Sequence, residues 1–254
     1  MSKDSQFNDS YSHYWASLTS EPGATASPPS LLTVQWVLEG LLGPEIPFFD
    51  SGLDIACGYG RLWPAMSEIC AEVDGVEFET TTAQTAQILP YRQVVTSKFE
   101  DYVPGIQYDF LLCWAAFEVL DQGKALEKMN GLLQTSGLAV ISGKNSNYHQ
   151  GDSEAAAAEE GAQAKSFVQF FTDSQVMADS LVDYGFSLES VMTFRNRGDV
   201  ERRKMVGPLS DFPADEFYEF AILLKKIGPV DISKAGAQVW ATRQSHTLKK
   251  SRGK

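Results

Sequence analysis

Two features of this chain have residue types and spacing suited to chemistry on a nucleotide-like ligand. The first is LDIACGYGRL at residues 53–62, where an acid, Asp54, precedes the small-residue turn Ala56, Cys57, Gly58, Tyr59, Gly60. Gly58 and Gly60 carry no Cβ and reach positive φ readily, so a ligand can lie against bare backbone there. Amides at the start of a following helix then point at whatever negative group the ligand presents. The second feature is Glu77, an acid about twenty residues past the turn, where an open α/β sheet places a carboxylate that accepts from ribose hydroxyls.

The elements needed to hold these residues are legible around them. An apolar run over 52–56 reads as a buried strand, and 61–70 as a helix with Pro64 tolerated in its first turn. Strands follow at 72–77, 93–96, 108–114 and 137–142, with helices at 81–89 and 125–133. The fourth strand, YDFLLCW, is almost continuously apolar, as a parallel strand buried on both faces should be. Before the first strand, SLLTVQWVLEGLL at 30–42 has apolar residues at helical spacing and is ended by Gly43-Pro44. After 143 the alternation breaks. Residues 144–152 read as a polar loop, and 153–165 as helix on propensity alone. Thr172 and Gln175 fit a capping box for a helix over 173–184 with Gly185 at its C-terminal end. Strands are expected at 186–194 and 217–225, separated by a charged insertion. The domain plan is thus an N-terminal segment over 1–34, a central domain over 35–225 with inserted cover at 144–171 and 195–215, and a C-terminal extension over 226–254, partly disordered.

Composition narrows the partners. The chain has 254 residues, 43% of them hydrophobic, and a net charge of −12. An acidic surface disfavours a nucleic-acid backbone as partner. The basic residues Lys249, Lys250, Arg252 and Lys254 read as a solvated tail. The three cysteines, Cys57, Cys70 and Cys113, lie in apolar stretches outside any metal-ligand spacing. Reduced thiols in a cytoplasmic protein fit best, and no metal is expected. No apolar run reaches the ~18 residues of a membrane span, and the polar start MSKDSQFNDS does not read as a signal peptide.

Taken in order, LDIACGYGRL, GVE at 75–77, YDFLLCWAAFEVL at 108–120 and KALEKMNGLLQTSGLAVIS at 124–142 resemble the motifs of the class I S-adenosylmethionine-dependent methyltransferases. The resemblance spans about 35–225. A nicotinamide dinucleotide enzyme is the main competitor, but its fingerprint needs a third small residue, and the two candidate positions hold Trp63 and Arg61. The resemblance implies a Rossmann-like, seven-stranded, mostly parallel sheet with helices on both faces and an antiparallel last strand. It implies S-adenosyl-L-methionine as methyl donor and S-adenosyl-L-homocysteine as product. Cofactor contacts would come from Asp54, Ala56, Cys57, Gly58 and Gly60 in the turn, from Glu77 and Phe78, from Phe99, and from Trp114 and Ala115 beside the reactive methyl. Alanine stands at 56 where many members have glycine. No acid occupies the usual adenine-binding place near Lys98, Phe99, Glu100 and Asp101.

Ligands bind at the C-terminal ends of strands in open α/β sheets, which makes Glu118, Tyr148 and His149 the candidates for a general base. The aromatic patch Tyr11, His13, Tyr14, Trp15 reads either as a lid or as a short helix pinned to the core. With the inserted segments it would roof a pocket, which suits a small-molecule acceptor methylated on O or N. A protein segment as acceptor, or a non-catalytic S-adenosylmethionine-binding protein, are the alternatives.

Overall fold

Strand β4 (Tyr108–Cys113) sits at the middle of the molecule, and its side chains divide the core. Leu111 and Cys113 point into one buried cluster, Phe110 and Leu112 into the other. That alternation is the period-two geometry of a strand, applied to a run of apolar residues with water on neither side. The computed structural model describes residues 28–148, 151–164, 168–204, 207–209, 217–235 and 240–243.

Around β4 the chain lays down α1 (Pro28–Leu42), β1 (Phe49–Ile55), α2 (Trp63–Ser67), β2 (Cys70–Glu77), α3 (Thr80–Ala86) and β3 (Gln93–Thr96) before it. After it come α4 (Gln122–Leu132), β5 (Leu133–Lys144), α5 (Ser153–Ala164), β6 (Phe170–Thr172), α6 (Ser174–Ser180), β7 (Phe186–Phe194), α7 (Asp199–Arg202), β8 (Gly207–Leu209), β9 (Glu219–Lys226) and β10 (Ala241–Arg243). The main sheet has the order β3-β2-β1-β4-β5-β9-β7-β8. The first five strands are parallel, and β9 inserts antiparallel between β5 and β7. This is the expected seven-stranded, mostly parallel sheet, with the three-residue β8 added at its edge.

Helices cover both faces. Val34, Val37, Leu38 and Leu41 of α1 fall at helical spacing and enter the cluster that holds Phe110 and Leu112. Ala125, Leu126, Met129 and Leu132 of α4 enter the opposite cluster, as the sequence pattern predicts. Among the described residues no helix is long and apolar enough to cross a membrane.

The structure corrects several element boundaries. The helix after the glycine turn is five residues, not ten, because Cys70 already pairs with Phe49 in β2. Its N-cap, Leu62, has no side chain able to hold the first-turn amides. The cap of α6 is Asp173, whose carboxylate accepts from Val176 N at 3.2 Å, rather than Thr172. Thr172 is fully buried and donates to Gln122 Oε1 instead. Gly185 does close the segment, at φ +74°, where a Cβ would stand 2.3 Å from the Gly228 carbonyl oxygen. A second, two-stranded sheet of β6 and β10 joins residues 241–243 to the inserted region. The C-terminal basic residues and the N-terminal aromatic patch lie outside the described residues.

Away from the site, Asp74 in β2 is a buried anchor. Its carboxylate accepts from Arg92 Nε at 2.8 Å and Arg92 Nη2 at 2.5 Å, from Gln93, and from the Tyr108 hydroxyl. It thereby ties β2 to the starts of β3 and β4. Removing the carboxylate leaves the buried Tyr108 phenol with Tyr102 alone and the half-buried Arg92 guanidinium with the exposed Glu72 alone. Asp74→Ala is expected to lose roughly 3 kcal/mol of stability, read as a shift in the urea midpoint at unchanged slope.

Candidate functional site

The glycine turn is built by backbone strain and closed by a carboxylate. After β1 the chain takes φ +55° at Ala56, +57° at Gly58 and +77° at Gly60. The Gly60 amide donates to the Cys57 carbonyl at 2.9 Å, and Cys57 N donates to Val76 O at 3.1 Å. A Cβ on Gly60 would lie 2.6 Å from Leu89 Cδ1 and 3.0 Å from Tyr91 Cε2. A Cβ on Gly58 would meet nothing within 4 Å, so this glycine borders open space. What Gly58 does touch is Glu77, whose Oε2 accepts from its amide at 3.0 Å while Oε1 accepts from Glu79 N at 2.8 Å. The carboxylate at the end of β2 thus holds the turn after β1. Burial raises the Glu77 pKa, and the amides of Glu79, Gly58 and Phe78 oppose that rise. Each oxygen retains a second lone pair beyond its amide bond.

Asp54 is fully buried beneath the turn. The Tyr91 hydroxyl donates to its Oδ2 at 2.7 Å, and Oδ1 has no partner. Burial pushes its pKa up to about 7, against the pull of the Tyr91 hydrogen bond and the charge of Arg61. Cys57 is buried, and burial raises its thiol pKa well above the usual range. Phe78 is half-buried, with Lys98 Nζ 5.9 Å from its ring centre. The Phe99 ring lies inside the core, at the start of a short 3-10 turn.

At the end of β4 the chain turns sharply. Ala115 takes φ +52°, and its amide donates to Ser142 Oγ at 2.7 Å, joining the ends of β4 and β5. Trp114, Ala115 and Glu118 line a cleft with an inner volume of ≈ 70 Å³. It extends from Arg61 after β1 to Lys144 at the end of β5 and Glu219 at the start of β9, and is covered by Thr33 of α1 and Glu201 of α7. Glu118 is buried, its Oε2 has no partner among the described residues, and burial raises its pKa against the opposing charges of Lys144 and Arg61. Glu219 Oε2 is likewise buried without a partner, and burial pushes this carboxyl up to about 8. Lys144 Nζ is taken up by Glu159 Oε1 at 2.9 Å and Gln169 Oε1 at 2.5 Å, and lies 5.4 Å from the Phe171 ring centre. Glu159 also accepts from the Tyr218 hydroxyl. This half-enclosed bridge pins the inserted helix α5 over the end of β5.

The structure therefore brings Asp54, Ala56, Cys57, Gly58, Gly60 and Glu77 together at the ends of β1 and β2, with Trp114, Ala115 and Glu118 beside them. Tyr148 goes elsewhere. Its ring packs 5.8 Å from Phe171 and 5.2 Å from Tyr218, in a separate aromatic cluster and off the cleft lining. His149 lies outside the described residues. Sequence reasoning missed Arg61, Lys144 and Glu219 as cleft residues. A signal existed for Glu219, a lone acid within the apolar run FYEFAILL.

Strand order 3-2-1-4-5 followed by an antiparallel pair, with a glycine turn after β1 and an acid ending β2, is the arrangement that the resemblance to class I methyltransferases implies. Residues 53–141 match the family model described as Methyltransferase domain. The chain is 28% identical over 127 residues to the ubiquinone biosynthesis O-methyltransferase of Pseudomonas aeruginosa strain LESB58, covering 46% of this chain. It spans about half, 52%, of the length of that relative. Its fold is similar to the N-methyltransferase NodS from Bradyrhizobium japonicum WM9 in complex with S-adenosyl-L-homocysteine, with a TM-score of 0.56 and 11% identity over 84% of this chain and 98% of that one. It is also similar to a possible histamine N-methyltransferase from Thermotoga maritima, with a TM-score of 0.58 and 16% identity over 88% and 98% of the two chains.

Asp54 links the site to stability. Its folded pKa, about 7, stands above the ordinary aspartate value of 3.8. The folded state therefore holds a proton that the unfolded state gives up, and this contribution is fully present below pH ~4 and lost as pH rises through 7. Between pH 4 and 7, Asp54→Asn is expected to remove a pH-dependent loss on the order of 4 kcal/mol from the wild-type urea-unfolding profile. A variant profile as steep as wild type would assign the slope to other carboxyls.

Proposed function

We propose that this chain transfers a methyl group from S-adenosyl-L-methionine to an O or N atom of a small-molecule acceptor. The observation that carries the reading is the Gly58–Glu77 junction, which sits within the segment that matches the family. The domain is taken as 35–225, with cover from 144–171 and 195–215. A cytoplasmic location is supported by three cysteines that are all buried and unpaired.

In this reading the open space over Gly58 receives the aminocarboxylate end of the donor, with Ala56, Cys57 and Gly60 shaping the turn. The outward lone pairs of Glu77 accept from the ribose hydroxyls. Phe78 and Phe99 serve the adenine side. When bound, the donor supplies a methyl on a positively charged sulfur, already activated for displacement. The work left to the protein is alignment and exclusion of water. Trp114 and Ala115 flank the approach to the methyl, and the bond from Ala115 N to Ser142 Oγ fixes that corner. Glu118 is the base candidate that faces the cleft. The acidic net charge and the covered cleft support a small acceptor over nucleic acid.

Calorimetric titration with S-adenosyl-L-homocysteine tests the donor site. Wild type is expected to bind, and Glu77→Ala to weaken binding by about 10- to 100-fold through the loss of charged hydrogen bonds. Circular dichroism monitors the fold of the variant. No binding by wild type, or undiminished binding by a folded Glu77→Ala, overturns the proposal.

A further inference from the structure

The cleft presents three carboxyl groups, Glu118, Glu201 and Glu219, against two cations, Arg61 and Lys144. One of those cations, Lys144, is already consumed by Glu159 and Gln169. Glu118 lines the cleft and is 8% exposed, and its Oε2 is buried with no partner among the described residues. Glu219 Oε2 is buried and unpartnered as well. Two acids with orphaned oxygens on one small cavity call for a ligand that donates hydrogen bonds and carries positive charge. Place in the sheet separates their roles. Glu118 follows β4, next to the corner at Trp114 and Ala115, whereas Glu219 begins β9, paired with Lys144 across from β5. Glu219 is therefore two strands beyond β4 on the side away from the glycine turn.

Resting on the methyltransferase reading above, we propose that the acceptor is a basic amine, bound as its ammonium between Glu118 and Glu219, with Glu219 as the proton acceptor. The amine N–H bond breaks toward a Glu219 oxygen. The freed nitrogen lone pair forms the N–C bond as the S–C bond to the methyl breaks. The products are an N-methylammonium and a neutral thioether, and the proton on Glu219 returns to water. The environment suits this cycle. Burial raises the Glu219 carboxyl, Glu118 and Glu201 add to the rise, and Lys144 and Arg197 oppose it. An arriving ammonium adds a positive charge and favours the ionised acid. At pH 7 a carboxyl titrating near 8 is mostly protonated, so amine binding ejects a proton.

The test titrates S-adenosyl-L-homocysteine-loaded protein with phenethylamine and with phenethyl alcohol at pH 7, in buffers of different ionisation enthalpy. A parallel assay follows transfer of labelled methyl from the donor to each compound. The expected result is binding and methylation of the amine alone, with close to one proton released per amine bound. Glu219→Gln, an isosteric change, is expected to abolish the proton release and weaken the amine by about 30-fold. It should leave S-adenosyl-L-homocysteine affinity within about twofold, which also reports the fold. Preference for the alcohol, or binding of neither compound to the loaded protein, overturns the inference and leaves the donor reading standing. A loss of S-adenosyl-L-homocysteine affinity in Glu219→Gln overturns it too, by assigning the carboxylate to the donor's own ammonium. Failure of wild type to bind S-adenosyl-L-homocysteine at all sinks the donor reading with it.

Discussion

The site depends on one carboxylate bound to two backbone amides. Glu77 ends β2 and holds Gly58 after β1 and Glu79 ahead of α3. Both amides belong to segments that have left regular structure, so no strand or helix satisfies them. A buried N–H without a partner costs about 1–3 kcal/mol, so two such bonds strongly select this arrangement of the turn. The strained position at Ala56 persists because this junction and the Cys57–Val76 bond over-determine it. The same carboxylate keeps a second lone pair on each oxygen, and in the proposed function these accept from the ligand.

A second constraint comes from charge. Asp54, Glu118 and Glu219 at one end of the sheet each have a buried oxygen that meets no donor among the described residues. Cores avoid this, because an uncompensated carboxyl favours unfolding as soon as it ionises. Asp74, in the middle of β2, is equally buried but fully partnered by Arg92, Gln93 and Tyr108. The contrast separates a fully satisfied acid from three that keep an orphaned oxygen. The network beside the cleft follows the structural pattern, with Lys144, Glu159, Gln169 and Tyr218 satisfying one another.

Much of this was legible beforehand, for identifiable reasons. The central sheet announced itself through long apolar runs, and β4 through continuous burial. The turn was visible in its glycines, and Glu77 in its distance from them. The short pieces were not visible. β6, β8 and β10 have three residues each, too few for any periodicity to appear. The five-residue α2 was overestimated because Trp63 to Cys70 is compatible with helix, and only pairing of Cys70 with Phe49 ends it. Tyr148 was placed near the chemistry by its loop, but its ring found Phe171 and Tyr218. Glu219 and Lys144 lie 75 residues apart and meet through antiparallel pairing, which no local pattern encodes.

The most direct test of the central claim is a crystal structure with S-adenosyl-L-homocysteine bound. The account predicts both ribose hydroxyls on the Glu77 carboxylate, the aminocarboxylate over Gly58, and the sulfur beside Trp114 and Ala115, facing the cleft that holds Glu118. Ligand density on another edge of the sheet, or a ribose that leaves Glu77 untouched, would contradict it.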